Sequence, residues 1–389
     1  MNIRPEIAAR HDELTAFRRD IHRHPETAFE EVRTAGLVAE RLAAAGLEVH
    51  CGLATTGVVG TLRAGTSNRA IGLRADMDAL DLTERNDFAH RSAHDGKMHG
   101  CGHDGHTTML LAAAEHLAAS GDFDGIVHFI FQPAEEGGGG GRVMVEEGLF
   151  EKFPVEAVYG MHNMPGLAAG RIAVSPGPVM ASADEFAVTV RGVGGHAAFP
   201  HRAVDPVFTA AEIIVALQTI VARNTDPLHS AVVSVTMMAA GEASNIIPET
   251  ASLKGSARAF TADMRDLIET AVGRIASGVA QAHGASAEVS YQRGYPATVN
   301  HPEETGIAAR AAALAVGEAN VARDFPPMMG SEDFSYMLQA VPGCYVFIGN
   351  GEGDSHPMCH SPRYDFNDDI LAAGASYWVS LVETTLPPA

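Results

Sequence analysis

The densest chemistry in the sequence is Met98-His99-Gly100-Cys101-Gly102-His103-Asp104-Gly105-His106, where one thiol, three imidazoles and a carboxylate fall within nine residues ahead of a helical pattern. Glycines at alternate positions let the backbone turn so that side chains converge. Thiolate with imidazole suits zinc and similar transition ions. A second group, Glu135 and Glu136, follows the apolar run Gly125 to Phe131 and the stop Gln132-Pro133-Ala134. Neighbouring carboxylates point in different directions, so one can bind a metal while the other faces a water as general base. The plain alternative is a solvated acidic turn. The glycine run Gly137 to Gly141 lacks the Lys-Ser/Thr ending of a phosphate loop, which argues against a nucleotide there.

Three more segments carry metal-type groups just after apolar runs. They are His162 after Ala157 to Gly160, Asp76 and Asp78 after Ala70 to Arg74, and His356 and His360 after Tyr345 to Gly349. Ligands in open α/β sheets bind beyond the carboxyl ends of strands, so these segments can serve one sheet edge. Strand candidates Gly57 to Leu62, Ala70 to Arg74, Ile126 to Phe131 and Ala157 to Gly160 alternate with helical stretches such as Thr107 to Ala119. That alternation predicts an α/β fold with a mostly parallel sheet covered by helices. The helical pattern from Glu6 to Ala45 breaks at Arg23-His24-Pro25, because proline disfavours a helical residue before it.

Near Ala183 the pattern changes to strand (Glu185 to Arg191), helix (Asp205 to Arg223), two strands (Ala231 to Ala239, Ala251 to Phe260), helix (Ala262 to Ala282) and strand (Ser286 to Tyr291). This βαββαβ order is the ferredoxin-like arrangement. It predicts an inserted domain at 184–296 within a discontinuous domain at 1–183 and 297–389, which resumes with a helix from Gly306, a strand from Cys344 and a helix from Asn367.

With 27 Lys plus Arg against 48 Asp plus Glu, the formal charge is −21. An acidic surface repels phosphate backbones, so nucleic acid is not expected as a partner. No uninterrupted apolar run approaches the ~20 residues of a membrane span, and the charged first residues lack a secretory apolar core. A cytoplasmic enzyme without a membrane partner is the expectation. Four cysteines are too few for a disulfide framework, and Cys51 and Cys344 read as buried thiols.

The series Asp20 to Glu26, Arg74 to Leu80, His99 to His106, Gln132 to Glu136, Gly160 to Asn163, Gly194 to His201, Gly330 to Phe334 and His360 to Pro362 resembles the M20 metallopeptidase family, and within it the amidohydrolase branch of hippurate, N-acyl-amino-acid and indole-acetyl-amino-acid hydrolases. The resemblance runs nearly the whole chain. It implies a zinc-peptidase-like catalytic domain with two divalent ions, zinc or manganese with cobalt also suitable, ligated by Cys101, His103, Glu136, His162 and His360. It makes Glu135 the general base and acid and gives Asp78 the task of orienting a ligand. His196 would stabilise the oxyanion in the partner subunit's site, so a homodimer or homotetramer through the small domain is implied. Asn245 and Arg258 would bind the substrate carboxylate, for which a planar guanidinium fork is suited. Without the resemblance, Asn245 reads as a turn residue and Arg258 as a surface charge, and His99, His106 and His201 read as structural or supporting groups. The implied reaction is hydrolysis of an N-acyl amino acid to a carboxylic acid and an amino acid. Competing readings are a metallo-aminopeptidase or dipeptidase of the same family, a cysteine-nucleophile hydrolase through Cys101, and a non-catalytic metal-dependent binding protein. The loop Phe325 to Met329 is an acyl-pocket candidate by composition alone and equally a packed loop.

Overall fold

Every residue of Ala70–Asp76 and Gly125–Gln132 is buried, as strands covered on both faces by helices must be. In the computed structural model, which describes residues 2–353 and 356–388, they are central to an eight-stranded sheet. Met1 and Ala389, the outermost residues of the predicted catalytic domain, lie outside the described residues. The chain divides into two units, one of Met1–Val179, Val299–Pro326 and Asp333–Ala389, the other of Met180–Thr298 and Pro327–Glu332.

In the larger unit the sheet order is Glu48–Leu53, Gly57–Ala64, Gly125–Gln132, Ala70–Asp76, Ala157–Pro165, Gly343–Gly351, Ile172–Ala173 and Val321–Ala322. The four strands from Gly125–Gln132 to Gly343–Gly351 pair in parallel, and antiparallel pairing enters toward the margins. Parallel register brings carboxyl ends to one edge: Asp76 lies opposite Gln132, and His162 opposite Phe347. The helices His103–Ser120, Pro302–Val316 and Leu371–Thr385 contribute Leu110, Ala312 and Trp378 to the same apolar core.

Two expectations for the larger unit need correction. Strand Ala157–Pro165 runs past Gly160, so His162 lies inside it rather than beyond it. Cys51 is exposed because Glu48–Leu53 is an edge strand with little buried face, whereas Cys344 is buried as expected.

The smaller unit holds a four-stranded antiparallel sheet in the order Ala231–Ala240, Thr250–Ala259, Asp184–Arg191, Ser286–Arg293. Strict alternation of burial along Thr250–Ala259 turns one face to helices Pro206–Leu217 and Ala262–Ala282. Asp205 caps the first helix by accepting from Val207 N at 2.8 Å. The predicted helix to Arg223 stops at Leu217, and a separate turn follows at Ile220–Asn224. The run Pro206–Asn224 is long and apolar enough to cross a membrane. Its Ala210, Ile213 and Leu217 instead belong to the core of this unit.

Candidate metal centre

The turn after strand Gly125–Gln132, the start of helix His103–Ser120 and the end of strand Ala157–Pro165 bring their side chains together. Cys101, His103 and His162 offer ligand atoms within 4.8 Å of one another, as do Cys101, Glu136 and His360, and again His103, Glu135 and Glu136. The overlaps join all five predicted ligands and Glu135 in one cluster. Cys101 Sγ is 3.3 Å from His162 Nε2, and His360 Nε2 is 3.2 Å from Glu136 Oε1. His356 is outside it, with Nδ1 3.2 Å from the Glu352 carbonyl.

The donor set fits a cation because both central imidazoles are turned outward by their own neighbours. His162 Nδ1 lies 2.6 Å from the Asn163 carbonyl, and an N–H there leaves the Nε2 lone pair facing Cys101. His103 Nδ1 is 3.3 Å from Asp78 Oδ1, while its Nε2 is buried without a hydrogen-bond partner. Metal-binding histidines have this tautomer-setting arrangement. Glu136 Oε1 also lacks an aligned hydrogen bond, although His360 is near it. Ligand atoms therefore converge on one point, and His103 Nε2 is left there without the hydrogen-bond partner that a buried polar atom normally has.

Charge agrees with geometry. Burial opposes a proton on His103, yet Asp76, Asp78 and Glu136 outweigh it and hold its pKa well above the ordinary range, so the cluster favours positive charge at this point. Burial and His106 push His162 well below its ordinary value, which keeps it neutral and able to ligate. As a metal-free nucleophile Cys101 is disfavoured, because Cys359 and burial push its thiol pKa up.

Asp78 does more than orient His103. Its Oδ1 accepts the Glu135 N–H at 3.0 Å and its Oδ2 the Glu136 N–H at 2.9 Å, so one carboxylate positions both His103 and the two-carboxylate turn. The Glu135 side chain accepts the Asp333 N–H at 3.3 Å. Asp333 in turn accepts from Arg74 (3.0 Å), Gln132 (2.8 Å) and the Gly141 N–H (2.8 Å), all buried. Sequence reasoning gave Arg74, Gln132 and Asp333 no role, although all three sit in the quoted motifs. His106, read as a supporting group, bonds Asp76 at 2.6 Å and Asn163 at 2.7 Å. Asp76, His103 and His106 also offer atoms within 4.8 Å of one another, but the Arg74 guanidinium already occupies Asp76 at 2.8 Å. His99 is fully buried, and burial pushes its pKa down to about 4.

The sequence matches the model of peptidase family M20/M25/M40 over residues 72–384. The chain belongs to that family. This M20 chain is 44% identical to hippurate hydrolase of Campylobacter jejuni over 98% of both proteins. It is 38% identical to an IAA-amino acid hydrolase of Arabidopsis thaliana over 95% of this chain and 85% of that protein. A dinuclear metal-binding M20 peptidase of Bacillus subtilis superposes with a TM-score of 0.85 at 32% identity, covering 97% of this chain and 99% of that one. The M20 chain is thus a metal-binding protein with an α/β fold of this family.

The smaller unit of the M20 chain holds the other three predicted residues. His196 and Asn245 are neighbours: Ala197 N donates to the Asn245 carbonyl at 3.0 Å, and His196 pairs with Ile246 in a short antiparallel ladder. Both are exposed. Arg258 lies on the sheet face turned away from the helices and donates to Ser331 Oγ at 3.1 Å. In the larger unit, Phe325 of the acyl-pocket candidate packs 5.8 Å from Phe347 between ring centroids.

Proposed function

We propose that this chain hydrolyses the amide bond of N-acyl amino acids, hippurate-like or N-acetyl, to a carboxylic acid and a free amino acid, with two divalent ions held by Cys101, His103, Glu136, His162 and His360. The observation that carries this reading is the convergence of Glu135 with the ligand atoms of Cys101, His103, Glu136, His162 and His360, among which His103 Nε2 is buried without a hydrogen-bond partner. Relatives named for hippurate and IAA-amino acid hydrolysis match over nearly the whole chain and support the substrate class. The Cys101 thiolate beside imidazoles favours zinc or cobalt, while the carboxylates also suit manganese.

Bound divalent ions would supply Lewis acidity and lower the pKa of a water from ~15.7 towards 7. Glu135 accepts that water's proton and carries it to the leaving amine, a general acid–base role worth about 10²–10⁴ in rate. Its backbone anchor on Asp78 and its bond from Asp333 N hold the carboxylate to one direction during transfer. His196 donates to the developing oxyanion, and Asn245 and Arg258 hold the substrate carboxylate.

A homodimer formed through the smaller unit, or a homotetramer of two such dimers, completes the proposal, with this unit as lid and dimerisation domain and His196 of each subunit serving the other. Among the described residues, Ala231–Ala240 is an edge strand, exposing Met237 (61%) and Met238 (44%). The outer face of Pro206–Leu217 exposes Phe208 (52%) and Val215 (67%). Open edges and apolar faces of this kind invite a symmetric contact.

The test is a panel of N-benzoyl, N-acetyl and indole-acetyl amino acids on metal-analysed protein. Glu135→Gln should retain two ions per chain and lose about 10²–10⁴ in kcat. Undiminished turnover in that variant removes the base assignment, and full activity of ion-free wild-type protein removes the metal mechanism.

A further inference from the structure

Ala134, the residue before Glu135 and Glu136, is fully buried and takes φ +55°, a left-handed conformation that costs a residue with a side chain. Such conformations persist where the surroundings over-determine them. The determinant here comes from a distant part of the chain. Glu31, itself fully buried, accepts the Ala134 N–H at 2.9 Å and the Phe29 N–H at 3.0 Å on Oε1, and the Thr56 hydroxyl at 2.5 Å on Oε2. Phe29 (φ +63°), Ala54 (+47°) and Thr55 (+73°) are also left-handed, so the carboxylate sits among four of the five non-glycine residues with positive φ among the described residues. The fifth is His360. On the far side of the turn, a Cβ on Gly140 would stand 1.8 Å from the Pro133 carbonyl, so the chain folds back directly behind Ala134.

We propose that Glu31 is a positioning residue for the Glu135–Glu136 turn: by accepting the Ala134 N–H it fixes the left-handed backbone that sends one carboxylate toward the metals and the other toward the attacking water. This rests on the reading that Glu135 is the base and Glu136 a ligand. Asp78 then takes the next two N–H groups, so three successive backbone donors are held by two buried carboxylates. Glu31 is not among the residues whose ligand atoms converge at the candidate metal centre, and it acts through Ala134.

The experiment compares Glu31→Ala, Glu31→Gln, Thr56→Val, Ala134→Gly and the pair Glu31→Ala/Ala134→Gly in the metal-loaded enzyme. It reads kcat and KM on N-benzoylglycine, and separately the retention of each ion against a competing chelator. Supporting groups behind metal ligands are worth about 10–100-fold in affinity or activity. Glu31→Ala should lower kcat, or the affinity for one of the two ions, by that factor with KM within about threefold. Glu31→Gln keeps an acceptor oxygen for Ala134 and should recover most of the loss. In the double variant glycine adopts the left-handed conformation without restraint, so part of the loss should also return. Should Glu31→Ala fail to fold, Thr56→Val, which frees one carboxylate oxygen, should lower kcat or ion retention severalfold with KM unchanged. Wild-type kcat and ion retention in Glu31→Ala, or in Thr56→Val if only that variant folds, overturn the proposal; so does a loss that neither glutamine nor glycine restores. A wild-type enzyme inert toward N-acyl amino acids would defeat the functional reading instead, while the chelator measurement still judges Glu31.

Discussion

His22 is enclosed by two carboxylates, with Nδ1 2.9 Å from Asp104 and Nε2 3.3 Å from Glu84, and its side chain has no exposure. Burial disfavours its charge and Arg18 adds to that, but Asp104 and Glu84 prevail and hold its pKa up at about 9. A folded value above the unfolded ~6.5 means the stabilisation is complete below about pH 6.5 and is lost as pH rises through about 9. The difference sets an upper contribution of about 3 kcal/mol. Unfolding free energy from urea titrations should therefore fall across that interval, and His22→Gln should flatten the fall. An equal slope in the variant would assign the pH dependence elsewhere. At this scale Cys101 and His103 were legible as members of the cluster because they are two residues apart in one short motif. Glu31 and Asp333 were not, since what gives them meaning is a bond to Ala134 or Glu135 from a distant part of the chain.

Helix His103–Ser120 begins at the proposed ligand His103, and its start is built around glycines that close packing requires. Gly102 takes φ +95°, and a Cβ on Gly105 would sit 2.3 Å from the Phe366 ring. Gly105→Ala should cost about 1–3 kcal/mol in urea unfolding through overpacking, and loosen metal binding with it. Gly273 in helix Ala262–Ala282 has open space around its missing Cβ. There the same substitution should add up to about 1 kcal/mol. If both alanines act alike, packing at the motif is not what selects glycine. Element type was readable from periodicity, but ends were not. The reading of Ala157–Pro165 stopped at Gly160, ahead of the polar pair His162 and Asn163, yet the parallel register with Phe347 and Ile348 carries the strand on. The edge strand Glu48–Leu53 was missed because it buries only one residue and so lacks an alternating face.

The molecule as a whole poses the question whether one chain suffices for turnover. If His196 of each subunit serves its partner, a Glu135→Gln homodimer lacks the base at both sites and a His196→Ala homodimer lacks the oxyanion donor, a loss of about 10²–10³. A mixed dimer differs: one site unites Glu135 from one chain with His196 from the other, while the second site loses both. Random exchange makes half the dimers mixed, each with one working site, so activity should recover to about a quarter of wild type in a twofold-symmetric assembly. A double variant with charges on the exposed apolar helix face, Phe208→Asp/Val215→Asp, should sediment as a monomer. Its turnover should then match that of His196→Ala, while its ion content stays at two per chain. Activity that fails to return after exchange has been verified, or a monomer that hydrolyses at the wild-type rate, would return His196 to its own subunit and leave the apolar face of Pro206–Leu217 without a catalytic role.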